Sequence, residues 1–213
     1  MKRFLSMLCA LCVFFFLLTA AIGLPIYIRP FYYAHIEAFD LARVSGYSEA
    51  EIREAYDEVL DYLTLPGKEF STGVLPHSAE GKAHFEDCKV LFDLNASILI
   101  GSGLVLAVLL VMRKKWGPYL LGKHSAPFWA AVLSVTAPIA IGALAALDFD
   151  RAFVIFHSIF FPGKTNWVFD WYADPIIRVL PQAFFMDCAI LIGAGLITMA
   201  VGILVWESRK KKT

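Results

Sequence analysis

Four stretches of this 213-residue chain carry no charged residue and no histidine, and each is long enough to cross a lipid bilayer. They cover residues 4–28, 94–112, 126–147 and 188–206. At a rise of about 1.5 Å per residue, roughly 20 helical residues span a hydrocarbon core about 30 Å thick. Within that core only a helix satisfies every backbone polar group inside one segment. The expectation is an all-α integral membrane protein with four transmembrane helices, organised as a single membrane domain over residues 1–213.

Orientation follows from the cations. Lys2 and Arg3 precede the first span, Arg113, Lys114, Lys115 and Lys123 lie between the second and third, and Arg209, Lys210, Lys211 and Lys212 follow the fourth. These are 10 of the 19 basic residues, on segments that hold a single acid, Glu207. The positive-inside rule places both termini and residues 113–125 in the cytoplasm of a multi-pass membrane protein. The remaining charge concentrates on residues 29–93 and 148–185, the two segments expected to form an extracytoplasmic, mainly helical cap. A formal net charge of zero conceals this split and gives no support to nucleic acid as a partner. Lys2-Arg3, the apolar run and Thr19-Ala20-Ala21 also have the outline of a secretory signal. The run continues through Ile22, Leu24, Ile26 and Ile28, which favours an uncleaved span. Cys88 and Cys188 fall near the outer ends of spans, and spacing alone does not say whether they pair.

The first outer segment reads as helix to about Val44, stopped by Gly46. A second helix follows: Ser48 and Glu51 form a capping box, and Ile52, Ala55, Tyr56, Val59 and Leu63 make one apolar stripe opposite Glu49, Glu54, Asp57, Glu58 and Asp61. Packing of that stripe within the segment is preferred over a lid lying on the membrane. Beyond Leu65-Pro66-Gly67, the run from Lys82 to Phe92 enters the second span without a breaker. On one helix, His84, Asp87, Cys88 and Leu91 share a face, which sets an imidazole and a carboxylate together.

In the second outer segment, residues 148–161 read as an aromatic helix in which Phe149, Phe153, Phe156, His157 and Phe160 form a stripe. Apolar surroundings disfavour an imidazolium, so His157 is suited to act as a neutral base. A loop rich in interfacial aromatics follows, with Asn166, Trp167, Phe169, Trp171, Tyr172, Asp174 and Arg178. An aromatic belt explains the rings but not the histidine among them. The five histidines and four cysteines match no zinc spacing, and there is no glycine-rich phosphate loop or nucleophile elbow. His35, His77 and His124 have no evident companions.

Four spans, a His84-x-x-Asp87 element running into the second of them, and Phe156-His157-Ser158-Ile159-Phe160-Phe161-Pro162-Gly163, followed by Asn166-Trp167, Asp174-Pro175-Ile176-Ile177 and Leu180-Pro181-x-x-Phe184-Phe185, resemble the bacterial lipoprotein intramolecular transacylase family, Lit. The resemblance implies four helices beneath an extracellular cap and transfer of the sn-2 acyl chain of a diacylglyceryl lipoprotein to the α-amino group of its N-terminal cysteine. It further implies two catalytic histidines, which by motif are His84 and His157. Asp87, Phe156, Phe160, Trp167, Asp174 and Arg178, in or beside the same blocks, are the expected substrate-positioning residues. The implied partners are a diacylated lipoprotein and membrane lipid.

Acyl transfer from ester to amine is downhill, so the reaction calls for no cofactor and no metal. It calls for proximity, exclusion of water and a base. His157 is favoured as the base, and His84, with Asp87 nearby, as the group that stabilises the intermediate; the sequence leaves the reverse assignment open. If one site exists, the two rings must meet although they are distant in the chain. A non-enzymatic membrane subunit or sensor, and a lipid or lipoprotein ester hydrolase, are the alternative classes. The orientation is tested in a cysteine-free background with single cysteines at positions 123 and 164. An impermeant thiol reagent applied to whole cells should label position 164 and not 123, and the opposite pattern would invert the topology.

Overall fold

The computed structural model describes residues 1–210; Lys211 and Lys212, two of the cations used to orient the chain, lie outside the described residues. The helices are α1 (Lys2–Tyr27), α2 (Arg29–Ala38), α3 (Leu41–Ser45), α4 (Glu49–Thr64), α5 (Ala79–Trp116), α6 (Ala126–Ala145), α7 (Phe149–Phe160), α8 (Ile176–Val179) and α9 (Gln182–Lys210). Two short strands, β1 (Leu120–Leu121) and β2 (His124–Ser125), pair antiparallel between α5 and α6. The chain is an all-α membrane protein: α1, α5, α6 and α9 are each long and apolar enough to cross a bilayer.

Contacts divide the chain into two compact units. The first comprises Met1–Leu24, Asn95–Leu147 and the chain from Ile190 onward. Its helices meet through small and aliphatic side chains, as expected where lipid removes the hydrophobic drive for association and close backbone approach takes its place. Leu17 and Ala21 of α1 cluster with Leu196 of α9, and the Leu24 side chain fills the space a Cβ would occupy at Gly195. Cys9, Leu109, Tyr119 and Ala126 form a second cluster, in which the Tyr119 hydroxyl donates to the Leu109 carbonyl at 2.9 Å. Glu207, the one acid on the cation-rich segments, accepts from the backbone and hydroxyl of Ser125 at 3.1 and 2.8 Å. Ser125 in turn caps α6 by accepting the Phe128 N–H.

The second unit comprises Pro25–Leu94 and Asp148–Ala189. Pro30 opens α2 in the first-turn position, where a missing N–H costs nothing. The single helix expected to reach Val44 is two: the chain breaks at Phe39-Asp40, with Asp40 in the left-handed region at φ 50° and paired to Arg43. Gly46 ends α3 at φ 81°, a conformation other residues adopt only with strain. α4 starts on the expected capping box, Ser48 with Glu51.

Its apolar stripe is not a lid. Ile52, Ala55, Tyr56, Val59, Leu60 and Leu63 are buried in one core with Tyr32 and Ile36 of α2, Leu41 of α3, and Ile176 and Val179 of α8. At the centre, the Tyr32 ring stacks on Tyr56 at 3.8 Å and its hydroxyl donates to the Val179 carbonyl at 2.7 Å. The acidic face of α4 is used as well, since Arg29 pairs with both Asp57 and Asp61 and the Tyr33 hydroxyl donates to Asp57.

His35 and His77 do have companions. Both His35 ring nitrogens are engaged, Nδ1 with the Phe31 carbonyl at 2.7 Å and Nε2 with Asp187 at 3.0 Å, which ties α2 to the start of α9. His77 Nδ1 lies 3.1 Å from the Thr72 hydroxyl. Cys88 and Cys188 are free thiols.

Replacing Tyr32 by Phe keeps the stack and leaves the Val179 carbonyl buried without a donor, a loss of about 1–3 kcal/mol. Ile52→Ala opens a cavity in the same core and should cost about 2–5 kcal/mol. Thermal melting of the detergent-solubilised protein should show both as lowered midpoints, with Ile52→Ala the larger; an unchanged midpoint for Ile52→Ala would remove α4 from the core.

Candidate active site

α7 begins at Asp148, whose carboxylate accepts the Arg151 N–H at 2.9 Å. Among its residues only His157 is buried, at 7% exposure, although nearly every neighbour is apolar. Phe156 and Phe160, 48% and 47% exposed, pack on each other at 4.6 Å. A helix that turns its imidazole inward and its phenylalanines outward suits apolar surroundings, where polar groups face the protein interior. The His157 Nδ1 lies 2.7 Å from the Phe153 carbonyl, which can only accept. The ring proton therefore sits on Nδ1, and the neutral ring presents the Nε2 lone pair. Trp167 stacks on its face at 4.5 Å and Phe153 lies against it at 4.3 Å.

His84 stands on α5 upstream of the apolar stretch that begins at Leu94 and is 6% exposed. Its ring centroid is 5.9 Å from that of His157, the planes inclined by 32°, so the expected convergence is realised. Phe161 touches both rings, at 5.0 and 5.7 Å, and Phe169 lies 5.4 Å from His84 while packing on Phe85.

Local anchors hold this arrangement. Ser78 caps α5, its hydroxyl accepting the Gly81 N–H at 2.9 Å. Asp174, 2% exposed, accepts in turn from the Ser78 N–H at 2.7 Å and its hydroxyl at 2.8 Å. Gly81 is required by this approach, because a Cβ there would run into the Asp174 carboxylate and come within 3.1 Å of the Phe169 ring. Asp87 pairs with Lys164 and accepts from Asn166 Nδ2 at 3.0 Å, and the Trp167 indole N–H donates to the Lys164 carbonyl at 3.1 Å.

Asp87 is thus tied to the 164–167 loop, and its charge still acts on His84, raising that ring's basicity against the stronger effect of burial. Arg178 donates twice to the Trp171 carbonyl, at 3.0 and 2.6 Å, and lies over the Trp171 and Tyr172 rings. The rings that touch the histidines are Phe85, Phe153, Phe156, Phe161, Trp167 and Phe169. Phe156, 5.5 Å from His157, and Trp167 were among the expected positioning residues. Cys88, one turn along α5, places Sγ 3.4 Å from His84 Nε2. Its i, i+4 spacing from His84 was the signal that pointed to it.

Burial holds His84 below the ordinary histidine value, to about 4, and the charge His157 would carry adds to the effect. Burial likewise lowers His157, against the opposing bond to Phe153. Asp87 is the reverse case: burial opposes its charge, but the bonds from Lys164 and Asn166 prevail and hold its carboxyl below the usual range. Two neutral imidazoles with distinct free nitrogens, walled by aromatic rings, can accept a proton at one atom and offer or accept a hydrogen bond at another. Among the described residues, no group of three or more His, Cys, Asp or Glu side chains is placed to hold a metal ion.

Fold and site together define a polytopic helical membrane protein that buries a neutral histidine pair among aromatic rings. A family model, lipoprotein intramolecular transacylase Lit, matches residues 7–185, and the chain belongs to that family: it is an enzyme, an intramolecular transacylase of lipoprotein. Among solved structures it is similar to the membrane integral lipoprotein intramolecular transacylase Lit from Bacillus cereus, with a TM-score of 0.88 and 24% identity over 100% of this chain and 98% of that one. A histidine-to-alanine variant of that protein aligns with a TM-score of 0.82 and 23% identity, covering 100% and 96%. A histidine-to-arginine variant gives 0.82 and 23%, covering 100% and 94%. At these identities the structures establish a shared fold. Comparison with curated proteins gives no match.

Because both histidine values are lowered, the neutral forms persist as pH falls through about 6.5, where an unperturbed histidine is half charged. The imidazole signals of His84 and His157 should therefore titrate below about pH 6.5. NMR titration of the 15N-histidine-labelled protein in detergent checks this directly, free of the substrate amine's own ionisation, and midpoints at or above about pH 7 would contradict it.

Proposed function

We propose that the enzyme moves the sn-2 acyl chain of a diacylglyceryl lipoprotein to the α-amino group of its N-terminal cysteine, with His157 as base and His84 stabilising the tetrahedral intermediate, at the extracytoplasmic side of the bacterial cell membrane with both termini in the cytoplasm. The observation that carries this reading is the pair of buried rings 5.9 Å apart, His157 with its proton committed to Phe153 and its Nε2 lone pair unspent. The amine nitrogen attacks the ester carbonyl carbon as His157 Nε2 takes the amine proton. The carbonyl oxygen gains charge beside His84, and the glycerol oxygen leaves as the C–O bond breaks and takes the proton back from His157 Nε2, so ester and amine become amide and alcohol and the ring returns to its neutral form. Holding amine and ester of one molecule together converts a rare encounter into a unimolecular step. The aromatic walls exclude water that would hydrolyse the ester. Trp167 positions His157 by stacking, Asp87 and Asp174 hold the elements that carry the rings, and Phe156, Phe160 and Arg178 offer an apolar and cationic rim to the lipid part of the substrate.

Mass spectrometry of a reporter lipoprotein made with and without the chain tests the reaction. An N-acylated lyso product is expected; a free-amine lyso product would make the protein a hydrolase, and no change a non-enzymatic subunit. His157→Asn should lower conversion by about 100- to 10,000-fold. His84→Asn should lower it by about 100- to 1,000-fold. The double variant should be little worse than the poorer single, because both groups act in one step. Full conversion by a well-expressed His157→Asn protein would overturn the assignment.

A further inference from the structure

Three histidines of the second unit sit on helices, and they are held in two opposite senses. His35 and His157 each bring Nδ1 to the carbonyl four residues earlier, at 2.7 Å in both cases, which places a proton on Nδ1. His84 makes no such bond. Its Nδ1 is buried without a partner in the protein, and its Nε2 instead meets Cys88 Sγ four residues later, at 3.4 Å. The nitrogen that His35 and His157 commit to the backbone thus has no partner in the protein at His84.

We propose that Cys88 is a positioning residue that sets the tautomer of His84: its S–H donates to His84 Nε2, so the neutral ring carries its proton on Nδ1 and turns an N–H toward the reacting oxygen. This rests on the reading of His84 as the stabilising group. The direction of the bond follows from the acceptors available, since an imidazole nitrogen is a stronger acceptor than a thiol sulfur and a thiol has one proton to give. Burial, with the nearby Asp87 charge adding to it, pushes the Cys88 thiol up to about 12, so the proton stays on sulfur at neutral pH. The same property makes Cys88 a poor nucleophile, so it serves as a donor and not as an acyl carrier. With Nε2 occupied, the neutral His84 cannot offer a lone pair to the substrate, whereas His157, held through Nδ1, can. The two rings then divide the work: one accepts the amine proton, the other donates to the oxygen on which charge develops.

The test is nitrogen NMR of the full-length protein, labelled with 15N-histidine in detergent micelles at neutral pH, with the His84 signals identified by their loss in His84→Asn. The wild-type protein should show a protonated Nδ1 and an unprotonated Nε2 for His84; a protonated Nε2 overturns the proposal without need of any Cys88 variant. In Cys88→Ala the two tautomers should mix, and kcat should fall about 3- to 10-fold, the span of one neutral hydrogen bond, with KM unchanged. Cys88→Ser, which keeps a hydroxyl donor, should return both the tautomer and kcat toward wild type. An unshifted tautomer in Cys88→Ala overturns the proposal, as does an equal loss in Cys88→Ser with the wild-type tautomer retained, which is the mark of packing alone. Failure here is distinct from failure of the catalytic reading. If His84→Asn stays active while the wild-type ring is protonated at Nδ1, the role of His84 falls and the tautomer assignment stands.

Discussion

Asp87 accepts from Lys164 and Asn166, which follow it in the chain by a long interval that no local rule bridges. Through that tie, residues 164–167 are held against α5, and Trp167 comes to rest on the face of His157. The carboxylate is partly buried and remains charged because an ammonium and an amide replace the water it gives up. The same loop is tied to α5 a second time, where Asp174 accepts from Ser78 at the start of the helix that carries His84. Two carboxylates, Asp87 and Asp174, therefore hold the loop to α5 at two points on either side of His84.

The site combines saturation and deficiency. Asp174, Ser78 and Gly81 saturate the start of α5, so the first turn of the helix bearing His84 cannot drift. In contrast, His84 Nδ1 and Asn166 Oδ1 are buried with no partner in the protein. Buried polar groups are ordinarily satisfied, and leaving one unmade is costly. Two such atoms in the segments that Asp87 joins are what a site would retain if its substrate completes the hydrogen bonding. The lowered basicity of both rings has the same origin, since apolar walls that exclude water also disfavour the imidazolium.

Where pattern and structure disagree, the cause is that periodicity records which residues share a face and not what that face meets. The stripe containing Phe156, His157 and Phe160 is real as helix geometry, yet only His157 is buried and the phenylalanines stay half-exposed. His84 and Asp87 do share a side of α5, but the carboxylate is claimed by partners from the far end of the chain. Arg178 and Asp174, two charges read from one aromatic loop, part company: Asp174 is buried against Ser78, and Arg178, on α8, reaches back over the Trp171 and Tyr172 rings and donates to the Trp171 carbonyl. His35 has its second partner in Asp187, on a helix whose start lies in another part of the sequence.

Four charge-free runs dictate four helices by themselves, because hydrocarbon leaves a backbone no other way to satisfy its polar groups. The capping box of Ser48 and Glu51, the buried stripe of α4 and the unbroken passage of α5 from His84 into its apolar stretch are local facts, readable from neighbours within a few residues. The two histidine blocks were legible too, as imidazoles in places where solvation does not explain them. What the chain order could not contain is which nitrogen of each ring is free and which rings wall the pair. Those follow from the contacts of His84 with His157, Phe161 and Phe169, of Asp87 with Lys164 and Asn166, and of Tyr32 with Val179. Such contacts join residues that only folding brings within a few ångströms, and short-range hydrogen bonding and burial act only at that distance.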